Sequence, residues 1–145
     1  MKRLFSYYKV AMIAVMAIVV AASLSSTGSA SATGDIATNG SFESGFTGWT
    51  VSNVDGVGAG WNAYDGAIAV DLNGSSPGYV EQVLDTDAGR TYEVAFAVSA
   101  NPACPEGTRS LTATAPGYSG IFSSDNDTGL WTERVWTAES FSFTA

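Results

Sequence analysis

Four residues in the loop WNAYDG, residues 61–66, are of types that could bind a sugar: Trp61, Asn62, Tyr64 and Asp65. A sugar presents an apolar face ringed by hydroxyl groups. Proteins bind it by stacking an aromatic ring on that face and by placing amide or carboxylate groups against the hydroxyls. We therefore predict that these four residues bind carbohydrate. The alternative is that both aromatic rings belong to the protein core.

Two residues in the segment NGSFESGFTGWTV, residues 39–51, could ligate a metal ion. Calcium prefers oxygen ligands from carboxylates, carbonyls and water. Glu43 and Asn39 supply such oxygens at the expected start of a strand, so we predict that they hold a structural calcium ion. The alternative is a solvated carboxylate. A second acidic segment, DNDTG at 125–129, lacks a later acidic ligand, and an ordinary turn explains it equally well.

The composition excludes several classes of enzyme. The chain has no histidine, which rules out Ser-His-Asp triads and histidine-ligated zinc sites. A glycosidase would need two carboxylates across a cleft, and Glu81 and Glu93 would supply them if they lay on neighbouring strands. Carboxylates at such positions are more often solvated. We therefore predict that the protein is not an enzyme.

The N-terminus has the pattern of a secretory signal peptide. Lys2, Arg3 and Lys9 precede or flank an uncharged apolar run at 10–22, and a small-residue A-x-A site ends at Ala32. The apolar run is too short for a comfortable membrane span. We expect residues 1–32 to be removed on export, leaving a domain at 33–145 that is secreted, extracellular or cell-wall associated. An uncleaved N-terminal anchor is the alternative.

The charge of the expected mature chain excludes nucleic acid as a partner. Residues 33–145 keep three arginines and all fourteen acidic residues, which is a net charge of −11. Such a chain is repelled by nucleic acid phosphates and by anionic lipid. The lone Cys104 cannot form a disulfide within the chain, and the sequence leaves its role and the oligomeric state open.

Alternating hydrophobicity predicts an all-β fold. In Thr91–Ala100, aromatic and branched residues alternate with small or polar ones, which is the period of a strand. No segment has a sustained helical period, and a domain of about 110 residues suits a two-sheet antiparallel sandwich. The predicted strands are Trp49–Ser52, Ala67–Leu72, Tyr79–Leu84, Thr91–Ala100, Ser110–Ala115 and Glu139–Thr144.

Two finer predictions follow from the same pattern. The polar turn DTDAGR at 85–90 separates two of the predicted strands by a short connection, so we expect these strands to form a hairpin. We assign Phe42, Trp49, Tyr92 and Phe96 to the core.

An ordered series of motifs runs from residue 39 to residue 145: NGSFESGFTGWTV, VDGVGAGWNAYDG, AIAVDLNG, GYVEQVLDTDAGRTYEVAFAVSANP, RSLTATAPG and ESFSFTA. The series resembles the choice-of-anchor C family of bacterial exported proteins. It is also similar to the related plant cell-wall family called domain of unknown function 642. Each motif alone is weak, but their order and spacing together are fairly specific.

The resemblance implies a galactose-binding-like jelly roll, with polysaccharide or cell-wall glycan as the partner. In similar carbohydrate-binding modules, the glutamate of an NGSFE-like start helps to hold a structural calcium, which again indicates Glu43. The family continues past its FTA-like strand, so we expect one or two last strands to be missing here. No catalytic residues carry over.

These observations lead to three hypotheses. The first is a secreted, non-catalytic β-sandwich module that binds carbohydrate. The second is a structural or adhesive surface protein whose aromatic residues are all core, for which buried Trp61 and Tyr64 would be the sign. The third is a glycan-active enzyme.

Overall fold

The computed structural model describes residues 5–14, 17–19, 35–57, 62–73, 76–102, 107–126 and 134–145. Several residues that carried predictions lie outside these ranges: Trp61, Cys104, Asp127, and the signal-peptide residues Lys2, Arg3 and 30–32.

The described residues form an all-β fold, which confirms the predicted class, and none of them lies in a helix long and apolar enough to cross a membrane. The strands are β1 Phe5–Ala14, β2 Ala17–Val19, β3 Thr50–Ser52, β4 Asp55–Val57, β5 Ala69–Asp71, β6 Gly78–Asp87, β7 Thr91–Ser99, β8 Gly107–Ala115, β9 Tyr118–Asn126 and β10 Thr137–Thr144.

The strands form two five-stranded antiparallel sheets. The first sheet has the order β3-β6-β1-β8-β9, and the second has the order β10-β7-β2-β5-β4. All six strands predicted from the sequence are present, with bounds that differ by a few residues. The short β4 and the nine-residue β9 were not predicted.

The buried faces of the two sheets share one core. The aromatic and branched residues that alternate along β7 are all buried, as their period predicts. Phe96 of β7 meets Phe122 of β9 edge-on, with 4.9 Å between ring centroids. Tyr118 of β9 stacks on Phe141 of β10 at 4.0 Å. Because β9 belongs to the first sheet and β7 and β10 to the second, these ring contacts join the two sheets.

The segment before β3 is a series of turns around Phe42. This side chain is fully buried, and its ring centroid lies 4.9 Å from that of Trp49. The Phe42 amide donates to the Asn39 carbonyl at 3.1 Å, and the Gly45 amide donates to the Phe42 carbonyl at 2.9 Å. Phe42 has a φ of 61°, which is rare for a bulky residue. The expected strand start at Glu43 is therefore wrong, because regular pairing begins only at Thr50.

The predicted hairpin between β6 and β7 is also wrong. The two strands lie in different sheets, so the connection at residues 88–90 crosses from one sheet to the other. Gly89 has a φ of 79° and donates its amide to the Ala145 carbonyl at 2.6 Å. This bond ties the crossing to the residue that follows β10.

Two strands come from the segment predicted to be a removable leader. β1 lies between β6 and β8 in the first sheet, and β2 lies between β7 and β5 in the second. Removal of residues 1–32 stays a prediction. The structure adds that residues 5–14 and 17–19 supply the central strand of each sheet.

Candidate functional site

The described part of the loop predicted to bind sugar lies on the surface before β5. Tyr64 is 50% exposed, and the side chains of Asn62 and Asp65 are exposed beside it. Asn62 and Gly66 have φ angles of 50° and 65°, so the backbone turns sharply at both ends of the loop. These turns display three of the four predicted binding residues to solvent.

Trp136, just before β10, holds this loop in place. Its indole Nε1 donates a hydrogen bond to the Asn62 carbonyl oxygen at 2.8 Å. Its ring packs against Ala69 and meets the Tyr64 ring edge-on, with 6.1 Å between centroids and an interplanar angle of 62°. The Tyr64 ring is therefore supported from one side while half of its surface remains open.

Arg134 lies against the Trp136 ring of this aromatic pair. Its side chain is 8% exposed, and its guanidinium carbon lies 5.4 Å from the centroid of the Trp136 ring, which is a cation–π distance. Burial lowers the pKa of Arg134, and the negative charge of Asp71 partly opposes that shift. The Asp71 carboxylate accepts hydrogen bonds from the Asn101 side chain at 2.8 Å and from the Asn73 amide at 2.9 Å.

We call Asn62, Tyr64, Asp65, Arg134 and Trp136 the Tyr64 patch. Arg134 and Trp136 were not assigned a role from the sequence. They are two residues apart, and in extended chain this spacing places both side chains on one face. Arg134 is also one of only three cationic residues after residue 32. These two signals could have identified them.

Glu43 fixes the end of the same loop. Its Oε1 accepts hydrogen bonds from the backbone amides of Ala67 and Ile68, each at 2.8 Å. The structure therefore gives this carboxylate a role as a clasp between the turns around Phe42 and the start of β5.

Asn39 orders its own turn. Its Nδ2 donates to the carbonyl oxygens of Gly45 and Thr47 at 2.8 and 3.1 Å, and its Oδ1 accepts from the Ser44 amide at 3.0 Å. The two predicted calcium ligands, Glu43 and Asn39, thus bind backbone groups of different loops.

The structure also places the other acidic residues that the sequence analysis weighed as metal or catalytic groups. Asp125 lies in β9 rather than in a loop, and it accepts a hydrogen bond from the Thr108 hydroxyl at 2.6 Å. Glu81 lies on β6 and Glu93 on β7, so the two glutamates belong to different sheets and are not on neighbouring strands. Among the described residues, no three acidic, cysteine or histidine side chains form a metal-binding group.

A cavity of about 320 Å³ lies near the β8–β9 turn and the ends of β7 and β10. Tyr118, Phe143 and the hydroxyl-bearing Thr91 and Thr144 contribute to its lining. Its lining residues carry no carboxylate or amide side chain. The Tyr64 patch has both an exposed ring and polar groups, so it is the better candidate for a polar ligand.

Comparisons with known proteins do not assign this chain to a family. No family model matches the chain, and no solved structure matches it. A stretch of 53 residues is 47% identical to part of halomucin from Haloquadratum walsbyi, covering 34% of this chain and 1% of halomucin. The chain therefore spans a very small part of that relative, and the match does not establish a family.

Proposed function

We propose that this protein is a non-catalytic extracellular β-sandwich module that binds carbohydrate chains through the Tyr64 patch. In this proposal the fold is a galactose-binding-like jelly roll related to the choice-of-anchor C family. The partner is a polysaccharide or cell-wall glycan. The signal-peptide pattern at residues 1–32 supports export.

The observation that carries the proposal is the exposure of Tyr64 on a rigid support. An exposed aromatic side chain normally loses conformational entropy when a ligand orders it. The edge-on contact with Trp136 and the bond from Trp136 to the loop backbone restrict the Tyr64 ring before any ligand binds. A ring that is restricted in advance binds a sugar face at lower entropic cost.

The neighbouring polar groups suit the hydroxyls of a sugar. Asn62 supplies an amide that both donates and accepts, and Asp65 supplies a carboxylate that accepts. Both side chains are exposed beside Tyr64. The buried Arg134 against the Trp136 ring partly offsets the negative charges of Asp65 and Asp71, so the patch is less acidic than those two carboxylates alone would make it.

A structural calcium ion at Glu43 belongs to the proposal as well. Glu43 Oε1 already accepts two backbone hydrogen bonds, so the ion would bind through the second carboxylate oxygen. The Asn39 side chain is used in its own turn, and the remaining ligands would be carbonyl oxygens and water.

The rival hypothesis is a structural or adhesive surface protein without a sugar site. It expects the aromatic residues to be core residues, and Trp136 partly meets that expectation because it packs on Ala69. The 50% exposure of Tyr64 favours the binding module.

Retention on insoluble polysaccharides, together with a glycan array, tests the proposal. The full chain is compared with a Tyr64→Ala variant. The matched control is Ile121→Ala, which removes a side chain 74% exposed on β9 of the other sheet. We expect Tyr64→Ala to weaken retention at least about tenfold, the equivalent of one good ring contact, and Ile121→Ala to leave it unchanged.

Two results would contradict the proposal. Equal retention of Tyr64→Ala and the unmodified chain would remove the patch as the binding site. No retention of the unmodified chain on any glycan would favour the structural protein. A further Trp61→Ala change in the Tyr64→Ala background measures the contribution of the fourth predicted residue.

A further inference from the structure

Each sheet is held together by one N-terminal strand. Among the described residues, β6 pairs with β3 and β1, while β8 pairs with β1 and β9, and β6 and β8 do not pair with each other. The second sheet repeats this arrangement, with β2 between β7 and β5. Without β1 and β2, the fold would consist of four two-stranded ribbons.

The pairing of β1 covers the whole length of β6. It runs in register from Phe5 opposite Asp87 to Ala14 opposite Gly78, which is all ten residues of β6. On the other side, residues 11–14 pair with residues 111–114 of β8. In an antiparallel ladder, about half of the residues of β6 direct their amides and carbonyls toward β1. These groups would lose their partners if β1 left.

The neighbouring strands cannot simply take over that pairing. Adjacent strands lie about 4.8 Å apart, so the position of β1 is a gap of about 10 Å between β6 and β8. Val80 on β6 and Leu111 on β8, at its two sides, are fully or almost fully buried with β1 in place. An isolated two-stranded ribbon is only marginally stable in water, so an open gap at this position is unfavourable.

The segment that fills this position is also the segment whose sequence predicts removal on export. We propose that the position between β6 and β8 and the position between β7 and β5 together form a strand-acceptor groove, whose occupant is a mainly apolar polypeptide segment that supplies one extended strand to each sheet. In the intact chain, residues 5–14 and 17–19 occupy it. Once they are removed, a strand of the same chemistry from another polypeptide takes their place, so the exported module assembles with other protein chains by strand addition.

The chemistry of the occupant follows from the groove. Recognition through a backbone ladder on both sides requires an extended segment without proline, and it tolerates many side chains. Lys9 is the only charged residue in β1 and β2, and this mainly apolar composition suits a position in the middle of a sheet. No residue of the Tyr64 patch lies in a strand that lines the groove, although Trp136 packs against Ala69 of β5. Peptide displacement and glycan retention are separate measurements, so the two proposals can fail independently.

A cleavable version of the full chain tests the groove. A protease site is placed within residues 23–30, between β2 and the first described residue after it, and the folded protein is cut. The cut protein is passed over a native size-exclusion column and then challenged with a fluorescent peptide of residues 3–22 that carries three added C-terminal lysines. We expect the cut N-terminal fragment to co-elute with the domain and the peptide to displace it saturably.

A peptide with Val10→Pro distinguishes strand addition from nonspecific hydrophobic binding, because proline removes a backbone amide from the hydrogen-bonded ladder. A peptide with Ala21→Pro, which lies beyond the described strands β1 and β2, and with the same lysine tail, is the matched control. We expect Val10→Pro to displace the fragment at least about tenfold less well than the control. Release of the N-terminal fragment from the cut protein without added peptide, or equal displacement by both peptides, would overturn the proposal.

Discussion

Glu43 orders a loop that lies more than twenty residues away along the chain. Its Oε1 accepts the amides of Ala67 and Ile68, directly after Gly66 at the end of the loop that carries Tyr64. A Cβ atom at Gly66 would lie 2.5 Å from that oxygen, and the φ of 65° there disfavours any other residue. Glycine is therefore what allows the carboxylate to approach the backbone so closely.

Replacing Glu43 should lower the free energy of unfolding by an amount that depends on how many of its hydrogen bonds are lost. Hydrogen bonds to a charged acceptor contribute about 1.5–3 kcal/mol, and this carboxylate is exposed, so we expect Glu43→Ala to lower the free energy of unfolding by about 1–2 kcal/mol. Glu43→Gln keeps an oxygen that can accept both amides and should cost less. Urea unfolding measures both, and equal stability of Glu43→Ala and the unmodified chain would show that the clasp contributes nothing.

Calcium titration separates the metal hypothesis from the clasp. If an ion binds the second oxygen of Glu43, millimolar calcium raises the melting temperature of the unmodified chain, because a ligand that binds only the folded state stabilises it. Glu43→Gln should lose that response, since calcium prefers a carboxylate. A melting temperature unaffected by calcium or by a chelator would assign Glu43 to hydrogen bonding alone.

At the scale of elements, Gln82 attaches the turns before β3 to the face of β6. The side chain is 5% exposed. Its Oε1 accepts from the Thr38 amide at 2.8 Å, and its Nε2 donates to the carbonyls of Thr38 and Gly48 at 2.8 and 3.0 Å. One amide thus joins three backbone groups that would otherwise lack these partners.

Gln82→Glu should be severely destabilising although it preserves the shape of the side chain. The carboxylate has no donor, so it faces two carbonyl oxygens and leaves both unsatisfied. Each buried unsatisfied group costs about 1–3 kcal/mol, and we expect a total loss of about 2–4 kcal/mol. Val83→Ala, at the exposed neighbouring position on β6, is the control and should change stability by less than about 0.5 kcal/mol. Similar unfolding midpoints for the two variants would contradict this role for Gln82.

The sequence predicts a strand well when the strand's own side chains alternate between apolar and small or polar residues. The residue types of β7 alternate strictly, and burial follows that alternation as far as Phe96, after which Ala97, Val98 and Ser99 are all buried. β9, with the sequence YSGIFSSDN, is rich in Ser, Gly, Asp and Asn, residues that favour turns. Its pairing with β8 along its whole length makes it a strand, and such pairing cannot be read from a single segment.

The connections between strands and the candidate site were harder to predict, because both depend on contacts between residues that are far apart in the chain. A short turn such as residues 88–90 suits a hairpin and a crossing between sheets equally well, so the sequence could not decide between them. The loop with Tyr64 was identified from its composition. Its support, Trp136, lies 72 residues later along the chain, and only the fold brings the two rings to 6.1 Å.

At the scale of the whole molecule, charge is strongly unbalanced. The full chain has a net charge of −8, and residues 33–145 have only three arginines to neutralise fourteen acidic residues. One of these arginines, Arg90, forms an ion pair with Asp87 at 3.1 Å on the surface. An ion pair exposed to solvent contributes little to the stability of the fold. Like charges held on one compact domain repel one another and destabilise the folded state.

Salt should therefore stabilise this protein. The screening length falls from about 10 Å at 0.1 M salt to about 3 Å at 1 M, so raising KCl over this range should raise the unfolding midpoint of the full chain. The variant Asp55→Asn with Asp85→Asn, which neutralises two exposed carboxylates, should be more stable than the unmodified chain at low salt and should respond less to KCl. Because any salting-out contribution is the same for both proteins, their difference isolates charge repulsion. An identical salt response in the two proteins would show that repulsion among the acidic side chains does not limit stability.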